Sequence, residues 1–294
     1  MLSKRGRKES LEGLDLYCCN DCRTVYLGAY SDEYVDELYD YYRTLRSKSK
    51  GELFDPATRL SYERVLALFA RHGGGNRVLD VGCGIGGFVD AALSNGYSAE
   101  GIDLSHPAVE VAMGVGLPVS RSDFFSADIQ MASRDVVTLF EVIEHVPQPV
   151  AFLRRAEEVV KPGGLVYITT PNFGSLDRRI LGAEWKAIHP EHLTYFTPST
   201  LLAAVHAGTS LEVVRVETRN VSAQLLEHAG SLLGWRRGRR EEVATGNAIT
   251  ATEPQLRARM AASPGLSLLK RTINAVLDAT SLGETIVLLL RRPA

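Results

Sequence analysis

Val78-Leu79-Asp80-Val81-Gly82-Cys83-Gly84-Ile85-Gly86-Gly87 is the stretch on which the fold turns. It ends a short apolar run, residues 77–81, and opens a helix-like segment, residues 87–95. Gly82, Gly84 and Gly87 satisfy G-x-G-x-x-G, while Gly82, Gly84 and Gly86 satisfy G-x-G-x-G. Either spacing lets the backbone turn tightly and approach a ligand at a helix N-terminus. Outward from it, residues 99–103, 135–140 and 165–170 read as further strands, β-branched and bounded by turn residues. Helix-like stretches separate them at 107–113 and 149–160, the latter closed by a basic last turn and Lys161-Pro162-Gly163-Gly164. Strands alternating with helices of this length imply βαβ crossovers, hence an α/β fold with a mostly parallel sheet covered on both faces. A helix at 198–207 leads to a strand at 211–216. The amphipathic stretch 266–282 precedes a closing strand at 284–290.

Composition narrows the class. The 294 residues carry 33 Lys+Arg against 35 Asp+Glu, a net charge of −2, and 45% are hydrophobic. That apolar content excludes a wholly disordered chain, and the balanced charge argues against a dedicated nucleic-acid binder. No apolar run approaches the roughly 18 residues of a membrane span; the best stretch, 286–290, is far short of it. The basic residues 1–10 are followed by no apolar segment of signal-peptide type. Four Cys (18, 19, 22 and 83) do not make a disulfide framework in a chain this long. The expectation is a cytoplasmic globular protein, with no membrane partner.

Four regions are expected. Residues 1–60 form an N-terminal cap holding seven of the eleven Tyr (17, 26, 30, 34, 39, 41 and 42), and 61–220 form a Rossmann-like core. Residues 221–283 form a helical or mobile insertion, and 284–294 return as the last strand. The insertion, read as a lid or homodimer contact, is weakly patterned at 236–264. Charge is skewed: residues 221–294 hold 10 Lys+Arg and 6 Asp+Glu, a net of +4, leaving the first 220 with 23 against 29, a net of −6.

Asp103 ends the next strand, 21 residues after Gly82, where a carboxylate binds ribose hydroxyls. Two cofactors fit that outline. A dinucleotide places pyrophosphate on the helix N-terminus, whereas S-adenosylmethionine (SAM) presents a sulfonium and an ammonium–carboxylate tail. Asp80, two residues before Gly82, helps decide. At an effective dielectric near 20, unit charges 4 Å apart interact by about 4 kcal/mol. A carboxylate here repels pyrophosphate and attracts a sulfonium, which favours SAM over NAD and disfavours an oxidoreductase.

The segments VLDVGCGIGGF, GIDLS, DVVTLFEVIEHV and VVKPGGLVYITTPN, in that order, resemble class I SAM-dependent methyltransferases over roughly residues 60–220. The subgroup that looks closest includes ubiquinone-biosynthesis O-methyltransferases and methyltransferases of natural-product and sugar pathways. The resemblance implies a seven-stranded sheet whose last strand is antiparallel. It also implies that Asp80, Gly82, Gly84 and Gly86 hold the methionine end and that Asp103 holds the ribose, with Leu104 against the adenine. Asp123 and Phe124 would contact the adenine amine and face, and Phe140 and Glu141 would line the cofactor near its sulfur.

Methyl transfer needs alignment, worth about 7–11 kcal/mol, and often a base, worth about 10²–10⁴-fold. Of seven His, residues 72, 106, 206 and 228 read as surface positions. Residues 185–197 (WKAIHPEHLTYFT) follow the fifth strand at the ligand-binding edge and gather two His, a Glu and three aromatics. In related sugar C-methyltransferases a similar Glu-His-x-x-Tyr-Phe stretch supplies the base, which points at His192, Glu191 and His189, with Tyr195 nearby. Glu141-Val-Ile-Glu144-His145 resembles a metal motif of small-RNA 2′-O-methyltransferases shared with ubiquinone-pathway enzymes. No metal is expected, and a divalent cation would fall to Glu141, Glu144 and His145.

Cys19 and Cys22 make one Cys-x-x-Cys; longer relatives carry two as a zinc ribbon. With no second pair in the sequence, no Cys₄ site is completed within one chain, and no zinc is expected. Tyr39 and Tyr42 share a helical face toward the cofactor mouth. The run 236–240 reads as a solvated loop, with phosphate binding as the alternative. The expected activity is SAM-dependent methylation of a small molecule at a hydroxyl, in a secondary-metabolite, sugar or quinone-type pathway. C- or N-methylation of a sugar or amine, and SAM binding without catalysis, are the alternatives. RNA as acceptor is disfavoured by the −6 charge of residues 1–220.

Overall fold

The structure is a computed structural model, and it describes residues 8–11, 14–28, 41–222, 224–226, 228 and 264–294. The strands are β1 (Lys8–Leu11), β2 (Leu14–Cys18), β3 (Val25–Leu27), β4 (Arg77–Val81), β5 (Ser98–Asp103), β6 (Val119–Arg121), β7 (Arg134–Phe140), β8 (Val160–Pro171), β9 (Thr194–Tyr195), β10 (Glu212–Arg219) and β11 (Thr285–Arg291). The helices are α1 (Lys50–Leu53), α2 (Pro56–Arg71), α3 (Gly87–Ser94), α4 (His106–Gly114), α5 (Pro149–Val159), α6 (Leu176–Leu181), α7 (Pro198–Gly208) and α8 (Pro264–Thr280).

Seven strands form one sheet in the order β10-β11-β8-β7-β4-β5-β6. The central pairs are parallel, while β11 runs antiparallel between β8 and β10. The expected sheet with an antiparallel last strand is therefore present. Alternation along each strand feeds two cores. Leu79, Val81, Leu139 and Ile168 pack with Leu153 and Ala156 of α5 and Leu201 and Val205 of α7. On the other face, Val78, Val136 and Tyr167 pack with Val65 and Phe69 of α2, Phe88 of α3 and Val109 of α4. Helix starts follow their capping chemistry: Asp55 accepts from the amides of Ala57 and Thr58, and Ser105 from that of Ala108.

Two details refine the sequence reading. Lys161-Pro-Gly-Gly does not lie outside the strand: β8 begins at Val160, and the register shifts between Arg134 and Val136 of its partner β7. The boundary at 60/61 falls inside α2, whose Arg59 pairs with Asp90 of α3 at 3.5 Å, so the core begins before residue 61.

The outer edge of β10 is protected by α8. Asp278 accepts from the Thr218 amide at 2.9 Å, and Asn274 from the Asn220 amide at 3.0 Å. These are amides that an edge strand otherwise leaves open to pairing with another chain. Residues 229–263, including the Arg run 236–240, lie outside the described residues, as does Tyr39. Among the described residues, no helix is long and apolar enough to cross a membrane.

A second sheet was not expected. Strands β1, β2, β3 and β9 form it in that order, all antiparallel. The N-terminal hairpin thereby pairs with the segment just after His192. Leu16 of the hairpin packs with Leu181, Trp185, Ile188, Tyr195 and Leu225 in a third core.

Candidate active site

The glycine loop joins β4 to α3 at the carboxyl edge of the sheet. Gly82, Gly84 and Gly86 all have positive φ, at 72°, 52° and 81°, a backbone shape that disfavours side chains. Beside the loop, Asp80 is buried and its Oδ1 accepts from the Thr138 hydroxyl at 2.7 Å. Burial pushes its pKa up to about 7, against the Thr138 hydrogen bond and with help from the Asp103 charge. Asp103 accepts from the Gly84 amide (2.8 Å) on one oxygen and from the Ser105 amide (2.7 Å) on the other. Both oxygens keep a second lone pair for ribose hydroxyls. Burial raises its pKa, and those amides hold it down.

Leu104 is 62% exposed next to this carboxylate, a position suited to an adenine face. Asp123 is exposed as well, and its carboxylate accepts from the Phe125 amide at 3.0 Å. Phe124 corrects the reading carried over from the resemblance. Its ring is 3% exposed, centred 4.9 Å from that of Phe152, so it belongs to the core and leaves no face for adenine. Phe125 is the exposed ring there. Phe140 stacks into an aromatic group with Phe88 (4.7 Å), Tyr167 (5.2 Å) and Tyr62 (5.5 Å).

Tyr42 stands over the loop. Its hydroxyl is 3.7 Å from where a Cβ on Gly84 would lie. Burial raises its pKa, with the charges of Asp103 and Glu191 adding to the shift, so the phenol stays neutral. The segment carrying Tyr42 is pinned by Arg46 to Glu110 of α4 and by Lys50 to Asp90 of α3 at 2.8 Å.

Two loops, one following β7 and one preceding β9, come together. Glu141 has φ of 53° and sits where β7 ends. Surrounding protein raises its pKa although the side chain meets solvent, and Thr169 and Arg219 oppose the rise. Glu144 is 2% exposed; Thr170 donates to its Oε2 at 2.9 Å, while Oε1 has no hydrogen-bond partner among the described residues. Burial, reinforced by repulsion from Glu141, holds the Glu144 pKa well above the usual carboxylate range. The Glu144 carbonyl accepts from the amides of Leu193 and Thr194 (2.8 and 3.0 Å), which fixes the second loop against the first.

Two imidazoles meet there. His145 and His192 rings lie 4.7 Å apart, edge to face. His145 Nδ1 bonds the Glu191 carbonyl at 3.0 Å, and His192 Nδ1 bonds the Ala187 carbonyl at 2.8 Å. Those bonds make Nδ1 the protonated nitrogen and leave Nε2 as the lone-pair nitrogen of each ring. Burial lowers the pKa of His145 to about 4 and, with His145 beside it, that of His192 to about 3. In place of the expected base near neutrality, His192 is a neutral, weakly basic imidazole. His189 lies close by, 6.1 Å ring to ring from His192, with Glu191 3.9 Å from its Nδ1. Ligand atoms of Glu144, His145 and His192 all fall within 4.8 Å of one another. Glu141 is not one of that trio.

The aromatic residues of 185–197 do not form the expected wall. Trp185, Tyr195 and Phe196 are 1–4% exposed and face inward. Tyr195 donates to the His189 carbonyl at 3.1 Å and is pushed up to about 12 by burial, so it braces the loop. Arg219, which no motif marks, reaches the site from the end of β10, donating to the Tyr167 hydroxyl at 2.9 Å.

A twisted sheet in this order, with paired acids at a glycine loop, is the fold of SAM-dependent methyltransferases. The chain belongs to the family described as "Methyltransferase domain", whose model matches residues 52–215. It is 34% identical over 149 residues to "Ubiquinone biosynthesis O-methyltransferase" of Idiomarina loihiensis, covering 46% of this chain and 61% of that protein. The like-named protein of Chromobacterium violaceum is 32% identical over 201 residues, covering 61% and 86%. Among solved structures, a SAM-dependent methyltransferase from Archaeoglobus fulgidus superposes with a TM-score of 0.53 at 17% identity, covering 86% of this chain and 99% of that one. A "possible histamine N-methyltransferase" from Thermotoga maritima gives 0.51 at 15%, covering 88% and 96%. At those identities the likeness is one of fold. The expected family and architecture are thus borne out.

Proposed function

We propose that this protein transfers the methyl group of SAM to a hydroxyl of a small-molecule acceptor bound between the glycine loop and residues 189–195. SAM supplies a methyl already activated on a sulfonium. Asp103 grips the ribose hydroxyls, and Asp80, balanced near pH 7, ionises as a cation comes to face it. Glu191 and Tyr42, close enough for the carboxylate's charge to act on the phenol, would stand between the two halves. The acceptor oxygen attacks the methyl carbon, the carbon–sulfur electron pair leaves with sulfur, and the hydroxyl proton passes to Nε2 of His192. The Ala187 carbonyl holds that ring in the accepting tautomer. The carrying observation is the facing His145–His192 pair, both Nδ1 committed to backbone, at the ligand edge of a methyltransferase sheet. The O-methyltransferase names of its relatives support a hydroxyl acceptor of quinone type.

One observation favours a second reading of the same residues. Glu144 Oε1 is buried without a described partner, beside two neutral imidazoles. Glu144, His145 and His192 fit a divalent cation, which would polarise the acceptor oxygen and lower its pKa. Calorimetry with Mg²⁺, Mn²⁺ or Zn²⁺ on wild type and Glu144→Gln separates the two: saturable binding lost in the variant supports the cation.

The function is tested by SAM and S-adenosylhomocysteine calorimetry on wild type and Asp103→Ala, with NAD as control, followed by a screen of hydroxylated acceptors. Absence of SAM binding removes the reading. SAM binding with methylation only at carbon or nitrogen replaces its acceptor half. SAM binding without turnover supports a non-catalytic SAM-binding protein. Assembly as a homodimer through residues 221–283 and a cytoplasmic location remain part of this proposal, tested by light scattering and by fractionation.

A further inference from the structure

Four thiols are free, and the fold gives them different chemistry. Cys83, in the glycine loop, is buried, and burial together with the charges of Asp80 and Asp103 pushes its pKa up, so it stays an unreactive thiol. Cys18 is half-buried, and its Sγ is turned to backbone carbonyls, 3.6 Å from that of Arg23 and 3.7 Å from that of Cys19. Cys22 is the exposed one. Burial raises its pKa, but hydrogen bonds from the Thr24 hydroxyl and backbone and from the Cys19 thiol outweigh that and lower it. The Cys22 Sγ to Thr24 Oγ1 distance is 3.3 Å. Cys19, which reaches Cys22 by that thiol contact, is 7% exposed.

The backbone holds the pair together. Residues 20–22 turn between β2 and β3. The turn is closed by the Cys19 amide on the Thr24 carbonyl (2.9 Å) and the Arg23 amide on the Cys19 carbonyl (3.0 Å), with Arg23 at φ of 63°. Two residues three apart in a closed turn have Cα atoms less than about 7 Å apart, within the span of a disulfide. An exposed, acidified thiol beside a shielded partner is the arrangement in which one cysteine attacks and the other resolves.

We propose that Cys19 and Cys22 are a redox-active dithiol that a low-molecular-weight disulfide converts to an intrachain disulfide. The Cys22 thiolate attacks one sulfur of the disulfide RSSR, forming a mixed disulfide and releasing RS⁻. Cys19, its proton passing to the released RS⁻, then attacks Cys22 Sγ as the thiolate and expels the second RS⁻, which takes up the proton that Cys22 gave to solvent. Protein dithiol and RSSR become protein disulfide and two RSH, so electrons and protons balance.

The hairpin passes the change to the acceptor loop. Val25 and Tyr26 of β3 pair with Tyr195 and Thr194, and the Leu27 amide donates to the Leu193 carbonyl at 3.0 Å. Leu193 follows His192 directly, and its amide bonds the Glu144 carbonyl. Closing the turn therefore alters the strand that orders the acceptor loop. Only the bearing of this coupling on acceptor handling rests on the methyltransferase reading; the dithiol chemistry does not.

The test treats the reduced, desalted full chain with oxidised glutathione. Denatured thiol titration is expected to fall from four to two, with peptide mapping showing Cys19 joined to Cys22 and no retained glutathione. Cys19→Ser is expected to stop at a glutathione adduct on Cys22, and Cys22→Ser to retain all its thiols. Amide hydrogen exchange over residues 193–195 is expected to change by at least about threefold on oxidation and to revert with dithiothreitol. A stable adduct on wild-type Cys22, first reaction at Cys18 or Cys83, disulfide-linked copies, or a zinc equivalent that blocks oxidation would each overturn the proposal. Unchanged exchange over 193–195 would overturn the coupling to the acceptor loop.

Discussion

Replacing each loop glycine by alanine separates the positions that serve the ligand from those that serve the fold. Gly82, Gly84 and Gly86 share positive φ, so an L-residue at any of them carries a backbone penalty of about 1–2 kcal/mol. Their surroundings differ. A Cβ on Gly86 would stand 2.6 Å from Leu117 Cδ1 and 3.4 Å from Ala112 Cβ, inside the core against α4. Leu117 is 4% exposed, so its Cδ1 can give way only by repacking the core around it, and overpacking adds about 1–3 kcal/mol. A Cβ on Gly84 meets only the Tyr42 hydroxyl at 3.7 Å, an ordinary contact on the open side of the loop.

Gly86→Ala should therefore lose about 2–5 kcal/mol and Gly84→Ala about 1–2 kcal/mol. Gly84→Ala should nonetheless bind SAM at least about tenfold more weakly, a difference of about 1.4 kcal/mol. Its methyl occupies the side of the loop that the cofactor approaches, next to the amide that holds Asp103. Urea unfolding without ligand gives the stabilities, and calorimetry on the folded variants gives the affinities. Equal destabilisation of the two variants, or undiminished SAM affinity in Gly84→Ala, would refute the division of roles.

Three further outcomes follow from the same geometry. Asp80 has a folded pKa of about 7 against an ordinary value of 3.8, so its burial weakens the fold progressively as pH rises from about 4 to 7. Asp80→Asn should thus melt higher than wild type by a margin that grows over that window and levels off above it, while binding SAM less well; parallel melting curves across pH would contradict this. His192→Ala should cut turnover by about 10²–10⁴-fold with SAM affinity unchanged, measured by initial rates and calorimetry, if the ring accepts the acceptor's proton as proposed. Asp278→Ala should cost about 1–3 kcal/mol in urea unfolding by leaving the Thr218 edge amide unpaired, and a neutral result would mean that another group covers that edge.

How much of this was legible in the sequence depends on how far apart the contacting residues lie. The cofactor half is a run of consecutive βαβ units: Asp80, the glycines and Asp103 stand within one crossover, and β4 pairs with β5 in register from Arg77 with Ser98 to Val81 with Ile102. Period and spacing therefore place them. The acceptor half is assembled from contacts that no window of sequence contains. Val25 pairs with Tyr195, Leu16 packs on Trp185, and His145 meets His192. The strands responsible are only two to five residues long, too short for alternation to announce them. Burial also inverted two aromatic readings, since Trp185 and Phe124 look like ligand walls by position yet fill cores. This has a physical consequence for the site. A two-residue strand cannot order a loop by its own pairing, so β9 takes its position from β3 on one side and from the Glu144 carbonyl on the other. Both pairings hold the segment that follows His192, whose ring faces His145. Under the proposed function, the N-terminal hairpin is accordingly part of the acceptor site, and changes in the hairpin are expected to alter acceptor handling while the glycine loop, seated on the central strands, is left in place.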